Sequence, residues 1–275
     1  WDAAMPGVRY LQHVASPFVT DIPKDKMELI RPAVGGTKRA LDAALKANVE
    51  RVVLTSSMAA IAYGHDKART APFTAADWTD LEGRGVNAYT ESKTLAEKEA
   101  WTIVDSAGRH DDLVAINPAA ILGPLLDEDP GTSAALIARL MTGSIPAAAR
   151  IYFAAVDVRD LAAAHVKGMV TPSAGGHRFP MGDKTFSLLD FSNTVRSATP
   201  EFAKRLPSRT VPDWMVRIFA FVDKDIRGNV GELGVVRLID SAEVERLLGR
   251  KLIPTADAVA ATAKSLVEQG VVKRP

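Results

Sequence analysis

Residues 51–57 read Arg51-Val52-Val53-Leu54-Thr55-Ser56-Ser57, a short apolar run that ends in hydroxyl side chains. A run of this kind, followed by Met58-Ala59-Ala60, predicts a buried parallel strand that opens into a loop. In open α/β sheets, ligands bind at the carboxyl ends of the parallel strands. The hydroxyl groups at the end of this run are therefore candidates for a functional site.

A tyrosine and a lysine follow on one face of a predicted helix. The segment is Asn87-Ala88-Tyr89-Thr90-Glu91-Ser92-Lys93-Thr94-Leu95-Ala96-Glu97. A spacing of four residues places Tyr89 and Lys93 side by side on such a helix. A nearby ammonium favours phenolate, so we expect Lys93 to lower the pKa of Tyr89 from about 10 toward neutrality, where a phenol exchanges protons efficiently.

Ser57, Tyr89 and Lys93 together resemble the Ser-Tyr-Lys set of the short-chain dehydrogenase/reductases. Three further segments narrow the resemblance to the extended branch, which contains dihydroflavonol reductases, cinnamoyl-CoA reductases and microbial aldehyde and ketone reductases. They are His13-Val14-Ala15-Ser16-Pro17-Phe18, Asn117-Pro118-Ala119-Ala120-Ile121-Leu122-Gly123-Pro124 and Asp157-Val158-Arg159-Asp160-Leu161-Ala162-Ala163-Ala164-His165. The resemblance covers nearly the whole chain.

This resemblance implies a reaction and a role for each side chain. Tyr89 would protonate the developing alkoxide, Lys93 would bind the nicotinamide ribose, and Ser57 would hydrogen-bond the carbonyl oxygen. NADPH is the expected cofactor, with NADH as the alternative, and the expected partner is a small-molecule carbonyl substrate. The residues expected to contact the cofactor are Ala15, Ser16, Thr55, Ser56, Tyr89, Lys93, Pro118 and Ile121.

Composition agrees with an ordinary enzyme. The chain has 275 residues, of which 47% are hydrophobic and 24% charged, which is enough to build a large core. A net charge of +1 gives no reason to expect nucleic acid or an anionic membrane as a partner. The chain has no cysteine, which excludes disulfides, and its five histidines are scattered, so we expect no metal site. We expect a cytoplasmic protein; its oligomeric state stays open.

The hydrophobic pattern predicts alternating strands and helices, and the resemblance implies an α/β fold with a Rossmann-like doubly wound parallel sheet and a smaller, mostly helical, C-terminal substrate lobe. The dinucleotide-binding domain is expected at residues 1–122 and 151–182, and the substrate-binding lobe at residues 123–150 and 183–275. Strands are predicted at residues 8–16, 51–57, 113–117 and 177–181. Helices are predicted at about residues 25–47, 88–107, 133–142, 187–198, 213–221, 241–248 and 255–269.

Several smaller expectations concern individual side chains. Glycine inside a helix costs about 1 kcal/mol, so we expect Gly35-Gly36 to mark a close approach of the first helix to a strand. Asp157 or Asp160 is expected to cap a helix, and Asp240 with Glu243 to form a capping box. His165 is interpreted as a core or interface residue. Core positions are also the simplest interpretation of the aromatic residues Phe186, Trp214, Phe219 and Phe221.

The resemblance lacks one part of the family pattern. A Gly-x-x-Gly-x-x-Gly turn, which would hold the cofactor pyrophosphate, is absent from these 275 residues, and residue 1 is Trp. Two βαβ units would precede this point, so we expect about 60 residues, with the first strands of the sheet, upstream. Residues 1–275 alone are then expected to expose the edge of the 8–16 strand and to aggregate or bind cofactor poorly.

Two other functions stay open. A nucleotide-sugar epimerase or dehydratase uses the same three side chains and returns the hydride it removes. A non-catalytic fragment or binding scaffold is the second alternative.

If the protein is a reductase, we expect small aldehydes or ketones as substrates. Ala62 stands where flavonoid reductases carry a hydrogen-bonding Asn, and the Asn-Trp-Tyr-Cys-Tyr-Gly-Lys signature of the cinnamoyl-CoA enzymes is absent around Tyr89.

Overall fold

The computed structural model describes residues 1, 3–17, 23, 25–221 and 230–275. Phe18 of the predicted turn lies outside these residues. The strands are β1 (Tyr10–His13), β2 (Arg51–Thr55), β3 (Leu113–Pro118), β4 (Ala120–Leu122), β5 (Tyr152–Asp157), β6 (Arg178–Met181) and β7 (Thr185–Ser187). The helices are α1 (Met27–Lys46), α2 (Ala88–Ser106), α3 (Gly131–Met141), α4 (Val158–Val170), α5 (Leu188–Ala198), α6 (Asp213–Phe219), α7 (Ala242–Leu248) and α8 (Thr255–Glu268).

The main sheet has four parallel strands in the order β1-β2-β3-β6. Each pair keeps a continuous register, with Leu11 opposite Val52 and Leu54 opposite Ala115. All four strands therefore end at the same edge of the sheet. Within the described part of the chain, β1 pairs with β2 alone and forms the margin of the sheet.

Helices cover both faces of this sheet, as its alternating side chains require. Val52 and Leu54 pack in a core with residues of α1 and α2, whereas Val53 belongs to the core formed with α4 and α7. Parallel sheets occur almost only with both faces covered in this way. The predicted α/β, doubly wound fold class is confirmed.

A second sheet of three strands, in the order β4-β5-β7, lies beside a separate core built with α3, α5 and α8. Strands β4 and β5 are parallel, and β5 and β7 are antiparallel. Strands β4 and β5 come from the predicted dinucleotide-binding domain, and β7 comes from the predicted substrate-binding lobe. The domain boundaries at residues 122/123 and 182/183 stay a prediction. Among the described residues, no helix is long and apolar enough to cross a bilayer.

The explanation expected for the glycines of α1 is wrong. A Cβ atom on Gly36 would meet no described atom within 4 Å, and one on Gly35 would approach only the flexible end of Arg39, at 3.1 Å. The close approach of a helix to the sheet occurs instead at Gly168 of α4. A Cβ atom there would lie 3.1 Å from Cγ1 of Val114, on β3. Gly168 is thus the helical glycine that close packing explains.

Three aromatic residues were wrongly assigned to the core. Trp214, Phe219 and Phe221 are 61%, 52% and 80% exposed: the short helix α6 buries Val216 and leaves Trp214 and Phe219 on its exposed side, and Phe221 follows the end of the helix. Phe186, by contrast, packs against the core of the second sheet.

The helix caps were predicted with partial success. Asp157 caps α4 as expected, accepting a hydrogen bond from the backbone N–H of Arg159 at 2.8 Å. Asp240 accepts one from Ala242 N–H, but the expected capping box does not form at α7. The hydroxyl of Ser241 is directed to Gly182 instead.

Candidate active site

The carboxyl edge of the main sheet opens into a cavity of about 550 Å³. It brings together most of the residues expected from the sequence to form a site. Seven of the predicted site residues line the cavity: Thr55, Ser56, Ser57, Tyr89, Lys93, Pro118 and Ile121. Ala15 and Ser16 lie on the loop after β1, outside the described lining of this cavity, and their contact with the cofactor stays a prediction.

Helix α2 presents Tyr89 and Lys93 because its start is fixed by a capping box. The Asn87 side chain accepts hydrogen bonds from the backbone N–H groups of Tyr89 and Thr90, both at 3.0 Å, and Thr90 Oγ1 accepts one from Asn87 N–H. Tyr89 therefore stands in the first turn, and Lys93 follows one turn later. The Lys93 ammonium lies 5.9 Å from the centre of the Tyr89 ring.

Ser57 reaches the same place from the end of β2. Its hydroxyl accepts a hydrogen bond from Ala59 N–H at 3.0 Å, which starts the 3₁₀ turn Met58–Ala60. The Ser57 side chain also hydrogen-bonds the Tyr89 phenol. The sequence neighbours Thr55 and Ser56 also line the cavity and have other hydrogen-bond partners: Ser56 Oγ donates to the buried carboxylate of Glu97, and Thr55 Oγ1 contacts His165.

Burial sets the protonation of the two titrating groups. It raises the pKa of the Tyr89 phenol, and the hydrogen bond with Ser57 opposes that rise. The expected lowering of the Tyr89 pKa toward neutrality is therefore wrong for this structure, because loss of water outweighs the other effects. Burial also lowers the pKa of Lys93 from 10.5 to about 8. Near pH 7 the site thus holds a protonated phenol beside a lysine that is still mostly charged.

Several residues that line the cavity were not predicted from the sequence. Among them are Tyr63, Tyr152, Phe153, Thr185, Arg237 and Ile239. Arg237 donates to the carbonyl of Ala62 at 2.9 Å, pairs with Glu232, and lies over the Tyr63 ring at 4.1 Å. These residues come from distant segments, and no short motif marks them, so only the fold reveals that they meet.

A second missed feature is a buried ion pair beneath the site. Glu97 and Arg178 approach to 2.6 Å with side chains 0% and 8% exposed. Asn117 donates to the same carboxylate at 2.7 Å, and Trp101 donates at 3.3 Å. The pair links α2, which carries Tyr89 and Lys93, to strand β6, and the Asn117 hydrogen bond links α2 to β3. Glu97 follows Lys93 by four residues, or one helical turn. This spacing was the only local sign that Glu97 lies near the site.

Breaking this pair should destabilise the fold strongly. We expect Arg178→Met to lower the free energy of unfolding by about 3–5 kcal/mol, because it leaves an uncompensated buried charge on Glu97. Arg9→Met is the matched control: Arg9 pairs with Glu50 at 2.8 Å, but the two side chains are 66% and 54% exposed, so its cost should stay below about 1 kcal/mol. Urea unfolding measures both. Equal losses in the two variants would contradict the structural role given to the pair.

No cluster of histidine, aspartate and glutamate side chains suited to a metal ion occurs within the ranges that the structure describes. The chemistry available here is that of a phenol, an ammonium and a hydroxyl group at the end of a parallel sheet. An α/β fold with these groups at its carboxyl edge is that of the short-chain dehydrogenase/reductase class.

Comparison with known proteins agrees with this class. Residues 1–167 match the model of the 3-beta hydroxysteroid dehydrogenase/isomerase family. The chain belongs to that family, within the extended short-chain dehydrogenase/reductase branch.

Individual relatives add detail. Cinnamoyl-CoA reductase CAD2 of Medicago truncatula is 40% identical over 184 residues, covering 64% of this chain and 54% of the relative. Cinnamoyl-CoA reductase 1 of Arabidopsis thaliana is 30% identical over 270 residues, covering 98% and 71%. The crystal structure of yeast methylglyoxal/isovaleraldehyde reductase Gre2 with NADPH superimposes with a TM-score of 0.77 and 25% identity, covering 98% of this chain and 80% of that one. The chain spans about half to three quarters of the length of the curated relatives it matches.

Proposed function

We propose that the protein is an NADPH-dependent oxidoreductase that reduces a small aldehyde or ketone to an alcohol. The observation that carries this proposal is the meeting of Ser57, Tyr89 and Lys93 in one cavity at the carboxyl edge of the sheet. NADPH is favoured over NADH because the yeast relative Gre2 is an NADPH-dependent methylglyoxal reductase, and its crystal structure is a complex with NADPH.

The residues present fit a nicotinamide cofactor. A cavity of about 550 Å³ falls within the usual range for small-molecule and cofactor sites. Lys93 supplies an ammonium for a ribose hydroxyl, and Pro118 and Ile121 supply apolar surface for a ring. When bound, NADPH supplies the hydride. Binding of the whole dinucleotide, including its pyrophosphate, is proposed for the intact protein.

Each of the three polar side chains then has a separate task. Ser57 donates a hydrogen bond to the substrate carbonyl oxygen and holds it beside Tyr89. Tyr89 gives its phenolic proton to that oxygen as negative charge develops there, and its raised pKa keeps the proton in place until then. Lys93 stabilises the phenolate that forms, since its charge is retained below about pH 8.

The substrate is proposed to be compact. Ala62 lines the cavity, and its side chain carries no hydrogen-bonding group that could hold a catechol ring. Tyr63 and Arg237 line the same cavity, where the Arg237 guanidinium lies over the Tyr63 ring. Simple aryl or alkyl aldehydes fit this description better than dihydroflavonols or CoA thioesters, although several relatives are named cinnamoyl-CoA reductases.

A substrate panel tests this proposal. With NADPH and the intact protein, simple aldehydes are expected to give a higher kcat/KM than dihydroquercetin or feruloyl-CoA. Loss of the NADPH absorbance measures each rate, and Tyr89→Phe serves as the blank for contaminating reductases. A preference for feruloyl-CoA or dihydroquercetin would overturn the substrate assignment and leave the oxidoreductase chemistry standing.

The nucleotide-sugar epimerase alternative predicts a different outcome. Such an enzyme leaves its cofactor unchanged overall, so it would consume no NADPH with any aldehyde. The structural similarity to a nucleoside-diphosphate-sugar epimerase of Pseudomonas aeruginosa, at 17% identity, shows the fold alone. Net oxidation of NADPH therefore separates the two functions.

A further inference from the structure

His165 takes part in a chain of hydrogen bonds that ends at the cavity. Its Nε2 lies 3.0 Å from Thr55 Oγ1, and its Nδ1 lies 2.7 Å from Gln12 Oε1. Gln12 stands on β1, Thr55 ends β2, and His165 is buried in α4 across the sheet from α1 and α2. Thr55 lines the cavity. Two adjacent strands and a helix thus converge on one hydroxyl group.

The direction of each hydrogen bond in this chain follows from the groups involved. Gln12 Nε2 lies 3.2 Å from the backbone carbonyl oxygen of His165, which can only accept, so this end of the amide is the donor. The other end, Oε1, is then the atom that faces Nδ1 of His165. A carbonyl oxygen there requires Nδ1 to carry the proton.

The ring is neutral near pH 7, since burial lowers the pKa of His165 below its usual value. A neutral imidazole with its proton on Nδ1 has a lone pair on Nε2. The Thr55 hydroxyl therefore donates to Nε2. Its single proton is used in this bond, and its oxygen can only accept from any further partner.

We propose that Gln12 and His165 are positioning residues that make Thr55 Oγ1 a fixed hydrogen-bond acceptor for the nicotinamide riboside end of the cofactor. The matching ligand group is a hydrogen-bond donor, either a ribose hydroxyl or the carboxamide NH₂. This inference rests on the proposed function, because it assumes that the cavity takes a dinucleotide. It assigns to His165 an orienting task in addition to its place in the core.

The tautomer of His165 tests the first step without any cofactor. Long-range ¹H–¹⁵N correlation spectra distinguish a ring protonated on Nδ1 from one protonated on Nε2, and a His165→Gln variant assigns the signal among the five histidines. We expect the Nδ1-protonated form in the wild-type protein. A ring protonated on Nε2 would overturn the inference whatever the protein's activity.

A double-mutant cycle tests the second step. Thr55→Val keeps the side-chain shape and removes the hydroxyl, and should weaken NADPH binding about three- to tenfold, as one hydrogen bond implies. His165→Phe alone should weaken binding to a similar extent, and it should have no further effect in the Thr55→Val background. Independent, additive losses would overturn the positioning role, since they would mean that His165 acts through packing. Calorimetric titration measures the affinities.

Two variants complete this design. Thr55→Ser restores the hydroxyl and should bind NADPH as the wild type does. Thr37→Val is the matched control, because Thr37 is also a threonine next to a histidine, with Oγ1 3.4 Å from His13 Nε2, but is outside the described lining of the cavity. It should leave the affinity unchanged, and a loss equal to that of Thr55→Val would count against the proposal.

A cofactor analogue identifies the donor. An acetylpyridine dinucleotide phosphate replaces the carboxamide NH₂ by a methyl group. If Thr55→Val no longer weakens binding of the analogue, the carboxamide is the donor; if the loss persists, a ribose hydroxyl is. Intact wild-type protein that binds no NADPH would overturn the proposed function and with it the acceptor role, while the tautomer experiment would still report on the hydrogen-bond chain itself.

Discussion

Tyr89→Phe is expected to lower the rate of carbonyl reduction by about 10²–10⁴-fold, which is the usual contribution of a general acid. The substitution removes the phenolic oxygen and keeps the ring in its half-buried position beside Lys93. Affinity for NADPH should change little, because the lost atom serves the substrate oxygen. Single-turnover measurements with saturating NADPH separate the chemical step from binding.

The matched control for this variant is Tyr10→Phe. Tyr10 begins β1 and is outside the described lining of the cavity, so removal of its hydroxyl should leave the rate near that of the wild type. A Tyr89→Phe protein with normal turnover would remove Tyr89 from the mechanism. Equal losses in both variants would indicate a general effect on the fold.

Lys93→Met is expected to have two opposite effects. Activity should fall and NADPH binding should weaken, because the ammonium serves both the phenolate and the ribose. Stability should rise, because burial of this group lowers its pKa from 10.5 to about 8, which corresponds to about 3 kcal/mol at pH 7. A methionine of similar length carries no charge to desolvate.

The sign of the pH dependence follows from the same shift. Between about pH 8 and 10.5 the unfolded chain holds the Lys93 proton that the folded chain has released. Stability of the wild type should therefore rise with pH across this window, and the contribution of Lys93 should be least favourable below pH 8. In Lys93→Met this part of the rise should disappear.

Urea unfolding at pH 7 and at pH 10 measures this difference. Lys98→Met is the control, since Lys98 is exposed on the same helix. It should change the free energy of unfolding by no more than about 0.5 kcal/mol at either pH. A Lys93→Met protein that is less stable than the wild type at pH 7 would show that Lys93 makes favourable contacts that outweigh its burial.

The sequence predicted the fold well where local patterns are strong. The run from Arg51 to Ser57 became β2 and the loop that follows it, and the helix expected at residues 88–107 became α2, Ala88–Ser106. Strand β1 is shorter than expected, Tyr10–His13 rather than 8–16, because pairing with β2 ends opposite Leu54. Periodicity and caps are local properties, and a single sequence carries them directly.

The site was predicted only as far as its motifs extend. Ser57, Tyr89 and Lys93 meet, whereas the contact of Ser56 with the cofactor stays a prediction, and its hydroxyl donates to the buried Glu97. The ion pair of Glu97 with Arg178 and the contacts of Arg237 join segments far apart in the chain. Such pairings depend on which helix faces are buried against which strands, and no pattern within one segment encodes them.

Transfer of deuterium from cofactor to product is the most direct test of the central claim. Intact protein would be supplied with NADPH carrying deuterium at the transferable position of the nicotinamide, together with a simple aldehyde, and the alcohol would be analysed by mass spectrometry. We predict one deuterium on the carbinol carbon of each alcohol molecule, with formation of the labelled alcohol abolished or greatly slowed in Tyr89→Phe. Alcohol without deuterium, or NADPH left unconsumed with every aldehyde tried, would contradict the account.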